Sequence, residues 1–99
     1  SFGQKRLLEL AAIYMRRPRL LLFDEPASGV NPALLETLRE FIMRMRKEQD
    51  ALLLLVEHNM EFIMDVSDHI VVMHQGAVLE QGTPEAIQSS ERVIEAYLG

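Results

Sequence analysis

A short apolar run that ends in two adjacent carboxylates is the feature that most constrains the fold of this chain. Leu20 to Phe23 are apolar, and Asp24, Glu25 and Pro26 follow directly. Such a run is typical of a buried parallel strand, whose carboxyl end often carries the chemistry of an α/β protein. One carboxylate can hold a magnesium ion and the next can activate a water, as phosphoryl transfer requires. Alone, the pair is ambiguous, because Asp-Glu before Pro also occurs at ordinary strand ends.

Helical and strand patterns alternate on both sides of this run. Residues 5–16 predict a helix that Pro18 ends. Its broad apolar face is formed by Leu7, Leu8, Ala11, Ala12 and Met15. Asn31 is suited to cap a second amphipathic helix, which continues to about residue 48. The run 51–56 is apolar at every position, which is typical of a central parallel strand covered by helices on both faces.

The last third of the chain follows a different pattern. A short helix is predicted at about 60–66, and two strand-like segments then flank Gln75 and Gly76: residues 70–73, which are all apolar, and residues 77–80, which are apolar except for Glu80. This arrangement predicts a compact β-hairpin. Two residues suited to cap terminal helices follow, Thr83 and Ser90. The order predicts the α/β class, with a mainly parallel sheet, helices on both of its faces, a C-terminal β-hairpin and terminal helices.

Composition excludes several classes of function. The chain has 99 residues and a formal net charge of −5, so it offers no basic stripe for a nucleic-acid partner. It has no cysteine, and therefore neither a disulfide framework nor a thiolate metal site. No apolar run approaches the roughly 20 residues of a membrane span. The chain begins with Ser, inside what looks like a motif, and we interpret it as a fragment.

Three further segments accompany the carboxylate pair. They are Ser1-Phe2-Gly3-Gln4 upstream, Ser28-Gly29-Val30-Asn31 directly after it, and Val56-Glu57-His58-Asn59 at the end of the next apolar run. In this order and at these distances, the segments resemble the second half of an ABC-type ATPase domain, over essentially the whole chain. The resemblance implies a partial P-loop NTPase core. It also implies that residues 1–99 are the C-terminal part of a single ATPase domain, from the signature motif to the C terminus.

The resemblance gives catalytic roles to residues at the two strand ends, with ATP and Mg²⁺ as cofactors. Asp24 would be the Walker B carboxylate on magnesium, and Glu25 the general base for water. His58 matches the switch histidine that contacts the γ-phosphate. Imidazole suits that position because it can donate to a phosphate oxygen while it contacts a carboxylate. His69 and His74 match no motif, and we predict that both are surface residues.

The resemblance also implies nucleotide contacts at a dimer interface. Ser1, Phe2, Gly3 and Gln4 resemble the signature motif, which grips the γ-phosphate of ATP held on the opposite subunit. Two departures are that the leading Leu is missing and that Phe2 replaces the first Gly. Asn31 stands where the interface loop usually ends in Asp, so this residue is expected to act at the interface or mainly as a helix cap.

Within the superfamily, the sequences of several segments resemble those of the importer ATPases for branched-chain amino acids. These segments are Gly29-Val30-Asn31-Pro32, Val56-Glu57-His58-Asn59-Met60, Gly82-Thr83-Pro84-Glu85 and Ala96-Tyr97-Leu98-Gly99. The resemblance implies a second ATPase subunit, identical or different, and transmembrane permease subunits as partners. It implies a peripheral location on the cytoplasmic face of the inner or plasma membrane. Close relatives that serve urea, other amides or lipopolysaccharide export have similar sequences.

The phosphate-binding loop of these ATPases is missing from the sequence. Such a loop needs Gly, four residues, then Gly-Lys-Ser or Gly-Lys-Thr, and none of the five glycines has that context. We therefore expect the parent protein to be an ATPase coupled to transport and these 99 residues alone to be inactive. Two alternatives are the C-terminal lobe of a DNA-repair or chromosome-organising ATPase of ABC type, and an inactive structural fragment.

Overall fold

The computed structural model of the protein describes residues 2–98, which form two compact units. The first unit ends at Asn59 and the second begins at Met60. Ser1 and Gly99 lie outside the described residues. No helix within the described part of the chain is both long enough and apolar enough to span a bilayer.

The first unit alternates two helices and two strands. They are α1 (Phe2–Arg16), β1 (Leu20–Asp24), α2 (Pro32–Glu48) and β2 (Leu52–Val56). The order is the predicted one. Helix α1 begins earlier than predicted, at Phe2 instead of residue 5.

Helix α2 begins where the sequence predicts. The Asn31 side chain accepts a hydrogen bond from the Leu34 backbone N–H at 2.8 Å, and Pro32 occupies the first turn, where a missing N–H costs nothing. Arg46 and Lys47 lie in the last turn, where their positive charges interact favourably with the negative end of the helix dipole. One face of the helix is buried, through Leu34, Leu38, Ile42 and Met45.

Strands β1 and β2 pair in parallel, with Leu20 opposite Leu52 and Asp24 opposite Val56. One face of the pair packs on α2, where the Phe23 ring meets the Phe41 ring edge to face at a centroid distance of 6.4 Å. The other face, which we call the open face, is 53 to 70% exposed at five apolar side chains, Leu20, Leu22, Leu52, Leu54 and Val56. This exposure differs from the two-sided burial expected for the run 51–56.

Helix α1 contacts α2 through few side chains. Leu10 is its one buried residue among those described, whereas Leu8 and Met15 of the predicted apolar face are exposed. The Tyr14 hydroxyl donates to a Glu48 carboxylate oxygen at 2.8 Å. A Cβ placed on Gly3 would lie 3.9 Å from the Leu34 side chain, so the start of α1 runs beside the start of α2.

The second unit is a hairpin with short helices. Its elements are α3 (Met60–Val66), β3 (Ile70–His74), β4 (Ala77–Gly82), α4 (Pro84–Gln88), α5 (Glu91–Val93) and a π-helical turn (Ile94–Leu98). Gln75 and Gly76 both have positive φ, as a tight hairpin turn requires. The core of this unit, which we call the hairpin core, consists of Ile70, Val72, Ile87 and Val93. His69 and His74 are exposed, as predicted.

Candidate functional site

The carboxyl ends of β1 and β2 lie side by side because the two strands are parallel and in register. Asp24 is opposite Val56, and the Glu25 N–H donates to the Val56 carbonyl at 2.7 Å, which extends the pairing by one residue. The residues that follow each strand therefore come together. These are Glu25 on one side and Glu57 and His58 on the other.

Glu25 and His58 are in direct contact. The His58 Nδ1 lies 3.0 Å from Glu25 Oε1, and both side chains are more than half exposed. An ionised carboxylate can only accept, so Nδ1 carries the proton in this contact, and Nε2 remains on the opposite edge of the ring. The structure thus joins two residues that are 33 positions apart in sequence and that the sequence singled out separately.

The backbone of Glu25 has an unusual conformation. Its φ is 47°, in the left-handed region that residues with a Cβ seldom adopt. The Ser28 N–H donates to the Glu25 carbonyl at 3.1 Å and closes a turn directly after the strand. Conformations of this kind cost free energy and are concentrated at functional sites. The turn directs the Glu25 side chain towards the end of β2, where it meets His58.

Glu57 is a residue of this site to which the sequence analysis gave no role. Its side chain is 1% exposed and accepts three backbone hydrogen bonds: from Ala27 at 2.9 Å, His58 at 2.8 Å and Asn59 at 3.1 Å. Burial alone would raise the pKa of Glu57, but the three N–H donors outweigh it, and the pKa is lowered below its ordinary value. A carboxylate inside a motif, at the end of an otherwise apolar strand, was the signal that could have identified it.

Asp24 ends β1 as an exposed carboxylate. Within residues 2–98, no group of three or more His, Cys, Asp or Glu side chains could hold a metal ion. A single carboxylate can take part in magnesium binding together with a nucleotide, since Mg²⁺ usually takes one or two carboxylates and completes its shell with phosphate oxygens and water. The magnesium-binding role of Asp24 stays a prediction.

The remaining predicted site residues lie at two helix starts. Phe2, Gly3 and Gln4 form the first turn of α1, which has no acidic side chain, and Ser1 of the same motif lies outside the described residues. Asn31 uses its side-chain oxygen to cap α2. The capping role expected for Asn31 is therefore confirmed, while the nucleotide contacts of the four signature-like residues stay a prediction.

Two protein-family models match the chain. Residues 1–65 match a model described as "AAA domain, putative AbiEii toxin, Type IV TA system". Residues 77–99 match one described as "Branched-chain amino acid ATP-binding cassette transporter".

Curated relatives are similar over the full chain. The high-affinity branched-chain amino acid transport ATP-binding protein BraF of Pseudomonas aeruginosa is 50% identical over 99 residues. The corresponding protein LivG of Escherichia coli is 42% identical over 99 residues. In both, the alignment covers 100% of this chain and 39% of the relative. The chain therefore spans about two fifths of the length of these relatives.

Solved structures show the same fold. A crystal structure of the ADP conformation of an ATP-binding cassette of an ABC transporter has a TM-score of 0.82 at 27% identity, covering 100% of this chain and 40% of that one. The structure of cbiO1 from Clostridium perfringens, part of the ABC transporter complex cbiONQ, has a TM-score of 0.78 at 28% identity, covering 96% of this chain and 38% of that one. The α/β prediction is confirmed. The chain belongs to the AAA-domain family whose model matches residues 1–65, it has the fold of an ATP-binding cassette of an ABC transporter, and it is similar over its whole length to branched-chain amino acid transport ATP-binding proteins.

Proposed function

We propose that this chain supplies half of the catalytic apparatus of an ATP-hydrolysing importer subunit, for branched-chain amino acids. The observation that carries the proposal is the contact between Glu25 and His58 at the adjoining ends of two parallel strands. This pair is more than half exposed, so a nucleotide and its attacking water have access to it.

In this mechanism Glu25 is the general base. Its Oε2 is free of the His58 contact, which uses Oε1, and can take the proton of a water positioned for attack. The hydrogen bond from Nδ1 fixes the imidazole ring, so that Nε2 is directed to a γ-phosphate oxygen and donates to it when the ring is protonated. Asp24 would hold magnesium, which neutralises charge on the phosphates of bound ATP.

The signature-like residues would serve a second copy of the site. Ser1, Phe2, Gly3 and Gln4 would contact the γ-phosphate of ATP on the opposing subunit, identical or different. Asn31 would lie at that interface while it caps α2. An absence of acidic side chains from the first turn of α1 supports this role, because a helix N-terminus attracts anions.

The transport role rests on the relatives. The names of BraF and LivG support a role in transport, with branched-chain amino acids as the solute. Coupling to permease subunits at the cytoplasmic face of the membrane is part of the same proposal and follows from the resemblance to importer ATPases. The match of residues 77–99 supports the same subfamily over the description of the other family model. A net charge of −5 disfavours the DNA-repair alternative. The 99 residues contain no phosphate-binding loop, and by themselves we expect them to hydrolyse no ATP.

The experiment that tests the proposal is Glu25→Gln in a full-length subunit that carries this segment. Turnover should fall by roughly a hundredfold or more, because the base is lost, while ATP affinity is retained. Glu61→Gln is the matched control, since Glu61 is an exposed carboxylate in the first turn of α3, and this variant should keep normal turnover. Turnover near that of the wild type in Glu25→Gln would show that Glu25 is not the base.

A further inference from the structure

We infer that Glu57 is a positioning residue for hydrolysis: its buried carboxylate ties the turn after β1 to the turn after β2 and thereby holds His58 against Glu25. The inference rests on the proposed roles of Glu25 and His58. It assigns to this site a further residue, one that acts through Glu25 and His58.

The hydrogen bonds of Glu57 divide between the two turns. Oε1 accepts the N–H of Ala27, which lies in the turn after β1, whereas Oε2 accepts the N–H groups of His58 and Asn59, which follow β2. One side chain therefore fixes the backbone on both sides of the Glu25–His58 contact.

Only a carboxylate of this length satisfies all three donors. Both oxygens of a carboxylate accept, whereas one end of a glutamine amide is a donor and would face an N–H group. A buried N–H group that loses its acceptor is costly, so the turn carrying that group has to shift to reach another partner. Since the Glu57 side chain is 1% exposed, water has little access to replace the lost bond.

A shift of either turn changes the geometry of the reacting groups. His58 is bound to Glu57 through its own backbone, and Ala27 is two residues from Glu25. Misplacement of a catalytic group by about 1 Å can lower a rate a hundredfold. Glu57 acts before the chemical step, by holding the two side chains at 3.0 Å.

The test compares Glu57→Gln with the wild type in the full-length subunit, with Glu61→Gln as the control of equal charge. Turnover should fall roughly tenfold to a hundredfold in Glu57→Gln, while the KM for ATP changes less than about threefold. Glu57→Asp keeps the charge but shortens the reach, so it should lose an intermediate amount. It also serves as the test variant if Glu57→Gln fails to fold, which circular dichroism of each variant would reveal.

A double variant separates positioning from a general structural role. In a His58→Ala background, Glu57→Gln should lower turnover by a smaller factor than it does in the wild type, because the part of its effect that passes through His58 is already lost. An equal additional loss in that background, or unchanged turnover in the single Glu57→Gln and Glu57→Asp variants, would overturn the inference. Normal turnover in His58→Ala and Glu25→Gln would instead refute the proposed function, so the two failures are distinguishable.

Discussion

The two sheets of this protein differ in how they are built and in what they bury. The parallel pair β1–β2 joins residues more than thirty positions apart and leaves the open face uncovered, although its other face packs on α2. The hairpin β3–β4 joins near neighbours, and the short helices that follow it complete the hairpin core. The candidate catalytic residues all follow strands of the first kind. Long-range parallel pairing is slower to form and harder to complete than a hairpin, but it brings two separate strand ends to one place.

Removing a side chain from the hairpin core should give the largest loss of stability. Ile87 is 0% exposed, so Ile87→Ala should lower the free energy of unfolding by about 2–5 kcal/mol. Leu54→Ala on the open face is the matched change and should cost less than about 1 kcal/mol, since that side chain already faces water. Urea denaturation of the 99-residue chain measures both. Equal losses would contradict the distinction between the two sheets.

His58→Ala tests what the parallel pair adds. In the full-length subunit, turnover should fall roughly a hundredfold while ADP affinity stays nearly unchanged, because ADP lacks the phosphate that His58 contacts. Steady-state hydrolysis, ADP titration and a thermal melt of this one variant separate a contact with the γ-phosphate from a structural role. A purely structural His58 would instead lower the melting temperature and weaken the binding of both nucleotides.

Acid should weaken the end of the parallel pair through Glu57. The pKa of Glu57 is lowered in the folded state from its ordinary value of 4.5, so the carboxylate stabilises the fold above pH 4.5. That contribution is lost as the pH falls below 4.5 and through the folded pKa. Unfolding measured between pH 7 and pH 3 should show a smaller acid-induced loss in Glu57→Gln than in the wild type. The same pH dependence in both proteins would show that Glu57 does not contribute.

Substitutions on the open face should have the smallest effect. They should change the binding of a hydrophobic dye and leave the free energy of unfolding nearly unchanged. Exposed apolar strands favour association, so the 99-residue chain should bind a hydrophobic dye or self-associate. Leu22→Thr with Leu54→Thr should reduce both. The matched pair on the hairpin, Val71→Thr with Val78→Thr, removes two exposed valines and should reduce them less. A monodisperse wild-type chain that binds no dye would contradict this expectation.

The pattern of the sequence predicted the elements well and their burial less well. The cap at Asn31, the strand in the apolar run that begins at Leu20 and the hairpin turn at Gln75-Gly76 depend on local chemistry, and the structure confirms each of them. The exposed faces of α1 and β2 could not be predicted, because apolar residues indicate that a surface can be buried and not what buries it. The chain spans 39% of the length of its relatives.

The sequence by itself determined which residue types lie at the end of each strand: Asp24 and Glu25 at the end of β1, and Glu57 and His58 at the end of β2. Only the tertiary structure decided that these ends meet. The parallel register places Asp24 beside Val56, and the positive φ of Glu25 then directs its carboxylate to His58. The role of Glu57 in holding the two turns likewise depends on the tertiary structure. Its three N–H donors come from two distant turns, and hydrogen bonds between such turns exist only after the strands have paired.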